Sequence, residues 1–182
     1  MAKDTARIVI LYATAAGSTR GIAEYIGNAL RERGAEVEVA AIGKAPDITG
    51  ADAVVLGSAV HNADLLPQAT EYIRDHHDDL VARPVWLFSV GLAPALRGPI
   101  GRRFAAVVPA KFAAVRDSLA VRDYHAFAGV MHRADTAWWA RLVYLAMGGG
   151  RYGDLRDWNE IHAWTDTIAA ALRLSTPTPP AR

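Results

Sequence analysis

No cysteine occurs among the 182 residues, which excludes disulfides, thiolate nucleophiles and cysteine metal sites. An excess of charge is missing too: 20 Lys plus Arg stand against 19 Asp plus Glu, a net charge of +1. The chain thus carries no electrostatic footprint of nucleic-acid binding. Long apolar runs are scarce. The stretch 8–13, behind Lys3 and Arg7, is too short and too rich in strand formers for a signal peptide, and a cytoplasmic location is the default expectation. What the chain does have is apolar bulk, 52% hydrophobic residues, enough at this length for one ordinary domain. A domain is expected over 1–174. Residues 175–182, with three prolines and two threonines, read as a tail.

Strand-like and helix-like segments alternate along the domain. Residues 7–13 (Arg-Ile-Val-Ile-Leu-Tyr-Ala) suit a strand buried on both faces. Residues 18–33 set Ile22, Ile26, Ala29 and Leu30 on one side at helical spacing, and Gly34 can end that helix. Residues 37–42 and 53–58 read as strands two and three, separated by a loop around Pro46 and Gly50. A helix is predicted over 65–81, with Leu66, Ala69, Ile73 and Leu80 inward and Arg74, Asp75 and Asp78 toward water. Residues 85–90 have the apolar density of a central strand, and Gly91 follows where the backbone must turn. Helices are predicted over 102–119, kinked or broken by Pro109, and over 157–172, where Trp158, Ile161, Thr165, Ile168 and Leu172 recur every three or four residues. Residues 124–131 form the fifth strand, weakened at Gly129, where a backbone can approach closely. Such alternation implies an α/β fold, a doubly wound five-stranded parallel sheet with helices on both faces. Ligands of these sheets sit beyond the carboxyl ends of the strands. The loops after Ala13, Ser58 and Val90 meet there.

Residues 12–20 (Tyr-Ala-Thr-Ala-Ala-Gly-Ser-Thr-Arg) join the first strand to the first helix and carry the hydroxyls of Thr14, Ser18 and Thr19. Free amides at a helix start, with hydroxyl donors beside them, suit a phosphomonoester. The lysine of Gly-x-x-x-x-Gly-Lys-Ser/Thr is missing, which speaks against nucleoside-triphosphate hydrolysis. Gly-x-Gly-x-x-Gly is missing as well, which speaks against a dinucleotide. The plainer alternative is a capped helix start with Ser18 as the cap.

The loop Thr14-Ala15-Ala16-Gly17-Ser18-Thr19 resembles the flavodoxin phosphate-binding signature, a hydroxyl residue followed by a short turn ending Gly-x-Thr. Ala16 stands where flavodoxins typically have a third hydroxyl. The resemblance extends to the flavodoxin-like, HemG-type menaquinone-dependent protoporphyrinogen IX dehydrogenases of the bacterial haem pathway. Gly57-Ser58-Ala59-Val60-His61 looks like their second flavin loop, and Leu87-Phe88-Ser89-Val90-Gly91-Leu92 like their next strand and third loop, with Gly91 where asparagine is common. Met147-Gly148-Gly149-Gly150 and Asp157-Trp158 resemble the family's Gly-Gly segment and the opening of its last helix, whereas 148–154 is not closely matched. Together these features cover about residues 7 to 173.

The resemblance implies a flavodoxin-like fold and FMN as cofactor. It puts the FMN phosphate on Thr14, Gly17, Ser18 and Thr19, with the amides of Ala15 and Ala16 between them. The turns Ser58, Ala59, Val60, His61 and Asn62, and Ser89, Val90, Gly91, Leu92 and Ala93, would border the ring, since a flavin needs an apolar slot with a few backbone partners. His61 is the candidate for a proton relay, because an unperturbed imidazole titrates near neutral pH; a polar loop histidine is the alternative. No general base is assigned. His76 and His77 are adjacent and share no helix face, so no metal site is expected. Tyr124, His125 and Phe127 fit simple strand alternation. Arg102, Arg103 and Lys111 either face an anionic ligand or are solvated helix residues.

An insertion over 134–153 separates the last strand from the last helix, and within it 137–147 (Ala-Trp-Trp-Ala-Arg-Leu-Val-Tyr-Leu-Ala-Met) is nearly apolar all round. It is too short to span a bilayer, which takes about twenty helical residues. Three fates are open to it: burial against the domain, the lining of a pocket for a large apolar substrate, or a membrane or subunit surface. The resemblance favours the last two, with Arg133 and Arg141 meeting propionates or anionic headgroups. The function it implies is an FMN-dependent oxidoreductase that passes electrons from a porphyrinogen to menaquinone, peripherally associated with the inner face of the cell membrane. An electron carrier serving a redox protein partner, an FMN-dependent quinone or other small-molecule reductase, and a non-enzymatic flavodoxin-like module are the alternatives.

Overall fold

Burial on both faces is what the run 7–13 requires, and Ile8, Val9, Ile10 and Leu11 are each 0% exposed. The computed structural model describes residues 5–61, 64–95, 110–131, 144–145 and 152–175. In chain order its elements are β1 (Arg7–Ala13), α1 (Ser18–Arg31), β2 (Glu36–Ala41), β3 (Ala53–His61), β4 (Asp64–Leu65), α2 (Pro67–Asp75), α3 (His77–Val81), β5 (Val85–Gly91), α4 (Ala110–Ser118), β6 (Asp123–Ala128), β7 (Val130–Met131), β8 (Gly153–Asp154) and α5 (Trp158–Ala171). Five strands pair in parallel in the order β2-β1-β3-β5-β6. This is the predicted doubly wound sheet. Since β2 and β3 flank β1 on opposite sides, the winding reverses between β1 and β3, and the strand ends there open a crevice.

Alternation along the strands divides the core in two. Ile8, Ile10, Val55, Trp86, Phe88 and Phe127 pack with Ile22, Ile26 and Leu30 of α1 and Ile161, Trp164 and Ile168 of α5. Val9, Leu11, Val54, Leu56 and Leu87 pack on the other face with Ala69, Tyr72 and Ile73 of α2, Leu80 of α3 and Leu119 after α4. Each large apolar side chain taken fully from water contributes about 1.5–3 kcal/mol. α1 matches its prediction closely, and the chain leaves it through Gly34 at a φ of 86°.

Three predicted boundaries and one predicted helix face need correction. β3 runs three residues beyond Ser58, because Val60 and His61 pair with Leu65 and Asp64 of β4. The helix predicted over 65–81 is broken at His76, whose φ of −115° leaves the helical region and whose ring stacks on Tyr72 at 4.0 Å. The strand predicted over 124–131 divides at Gly129: β6 continues the sheet, whereas β7 pairs antiparallel with β8. In the last helix, Trp158 lies at the surface with 36% exposure, and Trp164 is buried instead, its indole N–H donating to Asp123 Oδ2 at 2.7 Å. Asp157 caps that helix by accepting from the backbone N–H groups of Asn159 and Glu160 at 3.0 and 3.2 Å.

Residues 102–109 and 176–182, and with them Arg102, Arg103, Pro109 and most of the tail, lie outside the described residues. Of the aromatic stretch 137–147 only Tyr144 and Leu145 are described. Tyr144 is 1% exposed, its ring 5.6 Å from that of Tyr152, whereas Leu145 is 52% exposed.

Candidate functional site

The turn from β1 into α1 gives three hydroxyls three different tasks. Thr14 Oγ1 accepts the Gly17 backbone N–H at 2.9 Å and so closes the loop on itself. Ser18 Oγ accepts the Val130 backbone N–H at 3.1 Å, so it bonds across to the far side of the sheet. The third hydroxyl, Thr19 Oγ1, belongs to a residue that is 0% exposed and has no hydrogen-bond partner. An orphaned buried hydroxyl costs about 1–3 kcal/mol. Buried polar groups are nearly always paired, so an exception at this turn calls for an explanation.

The helix start above it is equally open. Gly17 is the N-cap residue at φ 88°, a left-handed conformation that favours glycine. No side chain caps α1 and no acidic residue stands in its first turn, so the reading of Ser18 as a helix cap is overturned. The first-turn N–H groups have no intrahelical acceptor, and the helix dipole favours an anion beside them.

This loop forms one wall of a cleft of 230 Å³ at the carboxyl ends of the strands. Thr14, Ala15, Ala16, Ser18 and Thr19 line it from the first loop, Ala59 and Val60 from the end of β3, and Val90, Gly91 and Leu92 from the end of β5. Position 91 is tight: a Cβ there would lie 3.3 Å from Val60 Cβ. A fourth wall, Gly129, Val130 and Met131, comes from the junction of β6 and β7. It was missed in the sequence as a site element. Its one sign in the sequence is Gly129, where a backbone can approach closely; its partner residues 153–154 are distant in the chain.

Several sequence-predicted residues sit near the cleft without lining it. Gly17 shapes the loop through its backbone. Ser58 is 1% exposed and occupied, donating to the Ala59 carbonyl at 2.9 Å and accepting from Leu66 N–H at 3.1 Å. Ser89 is bonded to the Tyr124 hydroxyl at 2.7 Å, and burial pushes that phenol's pKa up. These serines brace the strand ends. His61 is exposed at the end of β3 and Ala93 is exposed in a 3-10 turn, neither lining the cleft. Asn62, Arg133 and Arg141 lie outside the described residues.

The residues present fit FMN. Uncapped amides, the left-handed Gly17 and the unpartnered Thr19 hydroxyl meet the needs of a phosphate, and Ala59, Val60, Val90, Leu92, Val130 and Met131 offer the apolar slot a ring requires. Among the described residues no cluster of three or more His, Asp or Glu could hold a metal. No helix among them is long and apolar enough to cross a membrane.

Comparison with known proteins agrees with this geometry. The profile of the Flavodoxin domain family matches residues 9–145, and the chain belongs to that family. Membership implies a flavin cofactor and the redox role of a flavoprotein oxidoreductase or electron carrier. More particularly, the chain is 29% identical over 104 residues to the protoporphyrinogen IX dehydrogenase (quinone) of Escherichia coli strain K12, across 54% of this chain and 58% of the relative. The match thus spans little more than half of either protein. A flavodoxin from the domain Archaea superposes over 92% of this chain and 99% of its own, with a TM-score of 0.58 at 15% identity. Rubredoxin oxygen:oxidoreductase from Desulfovibrio gigas superposes over 92% of this chain and 36% of its own, with a TM-score of 0.60 at 16% identity. At such identities the likeness is one of fold.

Proposed function

We propose that this chain is an FMN-dependent oxidoreductase of the protoporphyrinogen dehydrogenase type, taking electrons from a porphyrinogen and delivering them to a quinone. The observation that carries the cofactor is the Thr19 hydroxyl, buried and unpartnered beside an uncapped helix start. The substrate class is supported by the likeness to the Escherichia coli enzyme and by the aromatic composition of 137–147.

FMN, when bound, supplies the acceptance and release of electrons. The chain's own task is to hold and orient. Thr14, through Gly17, fixes the loop that receives the phosphate, and Thr19 donates to it. The backbones at Ala59–Val60 and Gly91–Leu92 offer main-chain groups at the edge of the slot, since their side chains are small or aliphatic. No side-chain general base is assigned.

The test is an anaerobic mixing experiment. Purified holoprotein mixed with protoporphyrinogen IX should show flavin reduction, and addition of a menaquinone analogue should then restore the oxidised spectrum. A sample that dithionite reduces but protoporphyrinogen does not would remove the substrate assignment and leave a carrier with a redox protein partner, or another reductase.

A further inference from the structure

We infer that Ser18 is a positioning residue that mounts the Gly129–Met131 segment as a wall against the flavin ring. This rests on the reading that the cleft holds FMN through the phosphate loop.

The segment is anchored from three sides. Gly129 N–H donates to the Gly91 carbonyl at 3.2 Å, and the Gly129 carbonyl accepts from Leu155 N–H at 3.2 Å. Val130 N–H donates to Ser18 Oγ at 3.1 Å. The first two bonds join the segment to the third loop and to the return strand; the third alone joins it to the phosphate loop. Gly129 is also held by shape. A Cβ at that position would come 3.1 Å from Val90 Cγ1 and 3.6 Å from Ser18 Cβ. β6 lies beside β5 and β3 on its other side, so Val130 and Val60 flank the β5 end on opposite edges while all three contribute to the cleft.

The division of labour between neighbours follows from hydrogen-bond accounting. Ser18 Oγ accepts from a backbone donor of the wall and thereby ties the loop to it, with its own O–H still a donor, whereas Thr19 Oγ1 is buried with no partner. Removing the Ser18 hydroxyl leaves the half-buried Val130 N–H without its acceptor and frees the wall from the loop. That should weaken any ligand that carries the ring, with or without a phosphate.

The test measures FMN and riboflavin side by side on the full chain. Ser18→Ala should raise the dissociation constants of both by the same factor, about three- to tenfold for one hydrogen bond, and should shift the visible spectrum of bound flavin. Gly129→Ala should give the same signature by pushing the wall outward, and it serves if Ser18→Ala fails to fold by circular dichroism. Thr19→Ala should weaken FMN alone and leave the bound-flavin spectrum unchanged. Loss of FMN affinity in Ser18→Ala with riboflavin unaffected would make Ser18 a phosphate ligand and overturn the inference, as would no change in either affinity. If the wild-type chain binds neither compound, the cofactor reading itself fails and this inference goes with it.

Discussion

The ring of Phe88 lies directly over Gly57 on the neighbouring strand: a Cβ at residue 57 would sit 2.1 Å from Phe88 Cζ and 2.5 Å from Cε1. Phe88 is 0% exposed and packed against Phe127 and Trp164, each with a ring centroid 6.0 Å away. The ring therefore has no room to retreat. Gly57 stands just before the Ser58–Val60 end of β3, so the core side of the sheet and the second wall of the cleft share this contact.

Gly57→Ala should accordingly destabilise the fold by about 1–3 kcal/mol, the usual cost of overpacking a filled core. Urea denaturation would register a lower midpoint at unchanged slope. An unchanged midpoint would mean that the Phe88 ring moves freely, contrary to its packing.

Thr19→Val should trade function for stability. The isosteric change removes a buried hydroxyl with no partner, so the flavin-free chain should gain about 1 kcal/mol. FMN affinity should fall by about 1.5–3 kcal/mol, the worth of a charge-assisted hydrogen bond. Thermal unfolding with and without FMN would show the two effects with opposite sign; a destabilised flavin-free variant would contradict the orphaned-hydroxyl reading.

Acid should release the β8 end before the core. Arg156 donates to both carboxylate oxygens of Asp154, at 2.8 and 2.7 Å, and this bonding holds the carboxyl below its ordinary pKa. The contribution is therefore present above the unfolded pKa and is lost as pH falls through the lowered folded value. Arg156 also sits 4.5 Å over the Trp158 ring. Tryptophan emission should change with a midpoint below the usual aspartate value of about 3.9, and Asp154→Asn should abolish that transition.

Asp157→Ala removes the carboxylate that accepts from two orphan amides of α5. A loss of about 0.5–2 kcal/mol is expected. Asp157→Asn or Asp157→Ser should recover most of it in the same denaturation assay.

Under the proposed function, replacing Trp138, Trp139 and Leu142 together with polar residues should preserve FMN binding while lowering quinone-coupled porphyrinogen oxidation and vesicle association. Loss of FMN or of folding would assign the segment to the core. Survival of all three properties would remove both substrate and membrane roles from it.

Local pattern alone determined a good deal about this protein. The β-branched run 7–13 had to be buried on both faces, Ile22, Ile26 and Leu30 had to share one helix face, and Gly17 had to make the turn into the first helix. Each is a matter of residues within a few positions of one another, where periodicity and backbone freedom act directly. Tertiary structure decided the rest. It set the strand order, ended the sheet at Gly129 by pairing Val130 with Asp154, and exchanged Trp158 for Trp164 in the core. It also gave three similar hydroxyls different surroundings: Thr14 closes the loop on Gly17, Ser18 accepts from Val130, and Thr19 is buried without a partner. Those outcomes depend on which distant backbone N–H or ring reaches a given atom, and hydrogen-bond partners more than a hundred residues apart, such as Ser18 and Val130, leave no spacing for a sequence to display.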